Sequence, residues 1–360
     1  MSVFEQRING IRNILDKSQA ALINNANNVY YFSGIQNCEG YVLITNEGSY
    51  LFVDFRYAEN ARKNCKSCKV VEFKSFYESI KTVLKNSCTK SLLIESNSVF
   101  LNQYEKFIKE FNSIGVSIVS DNTLVKAVNN LRIIKSEDEI SFIAEAQKIT
   151  EKAYSEVLNY VKPGVSERKV AIELEYLMRK YGAEGISFDL ITISGKNTSL
   201  PHGVPSDNII REGDFFTMDI GALYKGYHSD MTRTVAVKSC DDYQREIYDI
   251  VYNAQIAALN SVKAGVKACD VDKTARDIIT ESGYGKNFGH STGHGVGLDI
   301  HEMPYVSTKS DTILSENMVI TVEPGIYLEN EFGVRIEDMI LVKRDGYMNF
   351  ASIPKELIVV

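Results

Sequence analysis

The sequence predicts a two-domain chain of mixed α/β (α+β) class, and three observations lead there. At 360 residues it exceeds the size of most single domains. Residues 1 to about 125 alternate helix-like and strand-like stretches, which reads as a small α/β domain. From about 126 onward an internal repeat takes over: VKPGVSE at 161–167 recurs as VKAGVKA at 262–268. Each copy follows one long amphipathic helix and precedes another, at 167–181 and 270–282, with Tyr-Gly following at Tyr181-Gly182 and Tyr284-Gly285. Strands come next in both copies. The second domain, 126–360, is therefore expected to hold two related helix-helix-strand halves whose strands meet in a shared sheet.

In the first domain, apolar periodicity gives a helix over 1–17 and strands at 20–24 and 29–33. A hairpin over 40–45 and 49–54 turns through Asn46-Glu47-Gly48. A helix over 57–63, a strand at 69–73, a helix over 75–86, the strand SLLIE, a helix over 101–112 and the strand VSIVS complete it. The boundary is placed in the polar stretch at 121–131, ahead of a charged helix. Asp54 and Arg56, in DFRY, read as an ion pair beside a strand end. Cys65 and Cys68 form a CxxC with neither a second CxxC nor a nearby histidine, so the spacing reads as incidental on a Lys-rich segment.

Composition narrows the function. A hydrophobic share of 44% is that of an ordinary globular protein, and a net charge of -7 without a basic stripe argues against nucleic acid as a partner. Six cysteines are too sparse for a disulfide scaffold. The N-terminus lacks the apolar core of a signal peptide, and no run is long enough to span a membrane, so a cytoplasmic location is expected.

The chemistry-bearing stretch is FFTMDIGALYKGYHSDMTRT at 215–234. Two strand-like runs flank a turn centred between Tyr224 and Lys225, from which Asp219 and Asp230 are equidistant. Opposed carboxylates on one sheet face repel, so a positive group is expected between them. A second hairpin, VITVEPGIYLENEFGVRIEDMILV, places Glu323 and Glu337 symmetrically about Asn330, each inside an apolar run where an unpaired carboxylate is costly. Four acids on two hairpins form a metal-site pattern.

Three of the five histidines, His290, His294 and His301, lie in FGHSTGHGVGLDIHEMP, whose glycines predict loop or irregular strand and allow backbone to approach a ligand. The glycine spacing fits neither GxGxxG nor GxxxxGK[ST], and HExxH is absent. His202 occupies the corresponding place in the first half, in SGKNTSLPHGVPS, stiffened by Pro201 and Pro205. His228, two residues before Asp230, reads as structural or supporting.

With MDIG, YHSDMTRT, HSTGHGVGLDIHE, TVEPGIY and GVRIED in this order, the second domain resembles the pita-bread metallopeptidases of the aminopeptidase P and Xaa-Pro dipeptidase (prolidase) branch. NNVYYFSG and LFVDFRY resemble that branch's creatinase-type N-terminal domain. The resemblance implies two divalent metal ions held by Asp219, Asp230, His294, Glu323 and Glu337, with Asp230 and Glu337 bridging. An oxygen-rich set with one imidazole suits Mn(II), with Co(II) or Zn(II) also fitting. The same resemblance implies Glu323 as general base, His202 and His301 as donors to the reacting amide, and His290 as a substrate contact. Arg335, on the strand face of Glu337, is expected to act around the substrate or behind the ligands. The implied reaction is hydrolysis of the bond preceding proline in a peptide. Dipeptides are slightly favoured over longer Xaa-Pro peptides, and a homodimer is usual for the family. A creatinase-like C-N hydrolase and a non-catalytic peptide-binding module share the fold; the complete ligand set argues against both.

Overall fold

A computed structural model describes residues 2–360, in two compact units that separate between Arg132 and Ile133. The first runs past residue 125 because the stretch read as polar is the helix Thr123–Arg132, whose Leu124 and Val128 are buried within that unit. Its six-stranded sheet has the order Lys69–Glu72, Ser49–Val53, Gly40–Thr45, Gln19–Ile23, Ser91–Ile94, Ser117–Val119. The middle three strands pair antiparallel and the outer ones parallel. Leu22, Leu43, Phe52, Leu92, Phe107 and Phe111 form its core.

One expected strand in this unit is a helix. Residues 29–33, rich in aromatic and β-branched side chains, belong to the helix Ala26–Ser33. The Asn25 side chain accepts from the Asn28 N–H at its start, and Gly34 closes it at φ 74°. Two good caps outweigh the strand preference of Val-Tyr-Tyr-Phe.

The second unit shows the duplication directly. Helices Glu137–Val157 and Glu167–Lys180 belong to the first half, Asp242–Ser261 and Ala268–Glu281 to the second. Each half has its own core. Val170, Leu174, Leu177, Phe216, Met218 and Val235 build one; Ile247, Val251, Val271, Ile279, Ile320 and Ile340 build the other. Each such fully buried side chain contributes roughly 1.5–3 kcal/mol of transfer free energy, which holds the helices against the strands.

The strands of this unit pair antiparallel, apart from an isolated parallel bridge between Ala236 and Val359. The strands fall into four sheets; Asp230, Glu323 and Glu337 stand where the pairing is interrupted, while Asp219 lies within a paired strand. The halves are joined there: the Glu337 N–H donates to the Thr232 carbonyl at 3.2 Å. Among the described residues no helix is long and apolar enough to cross a membrane.

Candidate metal centre and active site

The first half supplies two carboxylates from one hairpin, in a register shifted from the expected one. Strand Phe215–Ile220 pairs with Met231–Ala236 so that Asp219 faces Thr232, while Tyr224 faces Tyr227 at the turn. Lys225 and Gly226, at φ 49° and 76°, form the two-residue turn, which moves its centre one residue later than the sequence reading placed it. Asp219 and Asp230 are thus diagonal neighbours on one face, where they still repel.

In the second half the register is the symmetric one. Val322 faces Asp338 and Gly325 faces Arg335, so Glu323 and Glu337 lie across from each other at the break between two ladders. Asn330 takes φ 62° in the loop. His294 sits on the short strand Gly293–Gly295, wedged between neighbours. A Cβ at Gly293 would lie 2.0 Å from the Thr321 carbonyl oxygen, and one at Gly295 would lie 2.3 Å from that of Met303. These two glycines allow the close strand packing, and Gly293 also lines the cavity described below.

Together the halves place donor atoms of Asp230, His294 and Glu337 within 4.8 Å of one another. The His294 Nε2 is 3.3 Å from Glu323 Oε1 and 3.6 Å from Asp230 Oδ2. Asp219 Oδ1 is buried without a hydrogen-bond partner. Burial, then the Glu337, Asp219 and Glu323 charges, push Asp230 well above the carboxylate range; burial, Glu323 and Asp219 do the same to Glu337. Burial pushes Glu323 up to about 8, Arg335 opposing and Asp219 adding to the effect. Burial, then His301, pushes His294 down to about 4, so the imidazole is neutral and its nitrogen free to ligate. Crowded buried carboxylates, an orphaned oxygen and a neutral imidazole fit divalent cations of the hard to borderline kind.

A cavity of about 570 Å³ opens onto this cluster, and its wall includes Asp219, Asp230, His294, Glu323 and Glu337 together with His202, His290, His301 and Arg335. The structure therefore brings every candidate residue to one site. His301 packs edge-on against His294 at 4.4 Å between centroids. His228 does not line the cavity.

Around these residues runs a chain of hydrogen bonds that the sequence reading missed. Arg335 donates from Nη2 to Asp219 Oδ2 (2.6 Å), from Nη1 to the Tyr327 hydroxyl (2.9 Å) and from Nε to Thr232 Oγ1 (3.1 Å). Tyr327 passes its own proton toward His290 Nε2 at 2.9 Å, and His290 Nδ1 bonds the Ser291 carbonyl at 2.8 Å. Both ring nitrogens of His290 are thus engaged within the protein. Thr232 also donates to Glu337 at 2.7 Å, and Thr321 to Glu323 at 3.2 Å. A usable signal was present: Tyr327 shares the hairpin with Arg335 and faces Gly333, whose missing side chain leaves room for the contact.

Residues 141–344 match the model of metallopeptidase family M24. The chain belongs to this family. Residues 7–134 match the creatinase/prolidase N-terminal domain, so both units are accounted for. The Xaa-Pro dipeptidase of Pyrococcus horikoshii is 42% identical over 368 residues, covering 99% of this chain and 100% of that protein. The structure of the Xaa-Pro dipeptidase from Bacillus anthracis superposes with a TM-score of 0.94 at 39% identity, over 99% of this chain and 100% of that one. An X-Pro aminopeptidase from Thermotoga maritima does so at 0.89 and 37%, over 98% and 100%. As an M24 member the protein is a metallopeptidase of the pita-bread fold, and divalent metal ions are its cofactors.

Proposed function

We propose that the protein hydrolyses the peptide bond preceding proline, acting on Xaa-Pro dipeptides and, as the alternative, trimming longer Xaa-Pro peptides. The observation that carries this is the convergence of Asp230, His294 and Glu337 within 4.8 Å, in one cavity with Glu323, His202 and His301. The names of the relatives, Xaa-Pro dipeptidase and X-Pro aminopeptidase, support the substrate class. Asp219, Asp230, His294, Glu323 and Glu337 would hold two divalent ions, Mn(II) preferred for so oxygen-rich a set. When bound, these ions supply Lewis acidity and make a water acidic enough to attack at neutral pH.

The side chains do the rest. Glu323 accepts the proton of the attacking water and returns it to the proline nitrogen as the C–N bond breaks; that nitrogen carries no hydrogen in the substrate and gains one on leaving. His202 and His301 donate to the carbonyl oxygen and orient the amide as charge develops. The Arg335 to Asp219 bond fixes one ligand's orientation. A homodimer, the family's usual state, completes the proposal.

Purified protein assayed for metal and for cleavage of Ala-Pro, Ala-Pro-Ala and Ala-Ala tests this. Metal-dependent release of alanine from Ala-Pro and not from Ala-Ala is the expected result, with cleavage of Ala-Pro-Ala marking the longer-peptide alternative; equal cleavage of all three would overturn it.

A further inference from the structure

His202 stands in the middle of a loop whose two ends are held by a single carboxylate that does not line the cavity. Glu167, the first residue of the helix Glu167–Lys180, is 0% exposed. Its Oε1 accepts from the Ser194 N–H (2.8 Å), the Ser194 hydroxyl (3.1 Å), Asn197 Nδ2 (2.9 Å) and Asn208 Nδ2 (3.0 Å). Its Oε2 accepts from the Ser206 N–H (3.1 Å) and hydroxyl (2.7 Å). Ser194 and Asn197 precede His202; Ser206 and Asn208 follow it. Burial alone would raise the carboxyl's pKa, but the bonds from Asn208, Ser206, Ser194 and Asn197 outweigh it and hold the group below the ordinary range. The helix N-terminus, with its partial positive charge, favours the same ionised state. Between the clamped ends Leu200 is 55% and Val204 80% exposed, while Thr198 accepts from the Gly333 N–H (2.8 Å) and the Pro201 carbonyl from Arg335 Nη1 (3.3 Å).

The second half carries the same device. Asp272, on the corresponding helix Ala268–Glu281, is 0% exposed and accepts from the Thr292 N–H (3.1 Å) and hydroxyl (2.9 Å). It also holds Arg276, which donates to the carbonyls of Phe288 (2.9 Å) and His290 (2.8 Å). Each half thus uses a buried acid on its second helix to tie down its own histidine-bearing segment.

We infer that Glu167 is a positioning residue for the reaction, holding the 194–208 loop closed so that His202 is presented to the substrate, with Asp272 as its counterpart for the 288–294 segment. The inference rests on the proposed role of His202. Glu167 does not line the cavity, so its effect must pass through the loop. A Gln at 167 retains one acceptor oxygen and sets an NH₂ group against donors of the loop, which forces part of the clamp open.

The test is a double-mutant cycle on the metal-loaded full chain with Glu167→Gln, His202→Ala and the pair, reading kcat on Ala-Pro, bound metal and Tm. A displacement of the loop by about 1 Å predicts a fall in kcat on the order of 10²-fold for Glu167→Gln, with metal content unchanged. In the His202→Ala background the same substitution should cost no further activity while still lowering Tm. Asp272→Asn should differ by losing metal, since its segment carries His294. Should Glu167→Gln not fold, Ser206→Ala and Asn208→Ala each remove a loop donor while leaving the carboxylate, and each should lower kcat in the same His202-dependent way. Two results overturn the inference: a lowered Tm with native kcat, or losses that multiply with that of His202→Ala. A His202→Ala enzyme of native kcat would overturn it by a separate route, by removing the proposed role of His202 itself.

Discussion

Arg335 Nη2 lies 2.6 Å from Asp219 Oδ2, which leaves the other oxygen of that carboxylate buried and without a partner. The guanidinium therefore decides which Asp219 oxygen is free to meet a cation. Arg335→Lys keeps the charge and loses the fork that also reaches Tyr327 and Thr232. A loss of about 10- to 100-fold in metal affinity or activity is expected. Metal titration and kcat measured on the same preparation check it; native values for both would remove Arg335 from the account.

Removal of metal should abolish hydrolysis, and Mn(II) should restore it better than Co(II) or Zn(II). The same treatment should lower Tm, because an ion bound only by the folded state stabilises it by mass action. Calorimetry with and without chelator reads the second effect independently of any substrate.

Asp230→Asn should separate metal binding from folding. It removes a ligand but also one of the carboxylates whose repulsion and burial crowd the site. The metal-loaded form should lose affinity and rate, while the metal-free form keeps or gains Tm relative to metal-free wild type. A metal-free variant that melts earlier would show that the carboxylate has a structural partner of its own.

The histidines should sort by role. His294→Ala is expected to lose bound metal. His202→Ala and His301→Ala should stay metal-replete and folded, with kcat lowered about 10²- to 10³-fold, or roughly 2.7–4 kcal/mol. Elemental analysis of the three variants divides them; loss of metal from His202→Ala with retention by His294→Ala would require the ligand set to be redrawn.

Asp338, beside Glu337, predicts a stability effect away from catalysis. It is 0% exposed and accepts from Arg233 (2.7 Å), Lys355 (2.8 Å), Asn349 (2.9 Å) and Gln255 (3.2 Å). Asp338→Ala leaves Arg233 buried without its counter-charge and should cost about 3–5 kcal/mol. Burial raises the Asp338 pKa, yet Arg233 and Lys355 more than offset it, so the folded pKa lies below the unfolded one. Its contribution is then fully present at neutral pH and fades as pH falls through the ordinary carboxylate range and below. Urea midpoints for wild type and variant should converge in acid.

Much of this was legible in the chain because it was written in short-range pattern. The duplicated VKPGVSE and VKAGVKA mark the halves, and Glu323 and Glu337 flank a single turn whose symmetry gives their register. The hairpin at 215–234 was read one residue off because Lys225, not a residue type that favours positive φ, takes the left-handed turn position. Glu167 gave no local sign at all. Its partners lie up to 41 residues away, and an acid opening a helix is ordinary on any surface. Tyr327, by contrast, left a sign in the hairpin it shares with Arg335, and only its contact with His290 had to be supplied by the fold.

The proposed ligands come from both halves: Asp219 and Asp230 from one, His294, Glu323 and Glu337 from the other. An ion shared among them is then a cross-link, closing chain segments that folding must otherwise hold together unaided. Its loss should leave each half intact and loosen the seam. In metal-free protein, amide exchange should quicken first at Glu337, whose N–H bonds across to Thr232, while the buried helices of each half keep their protection.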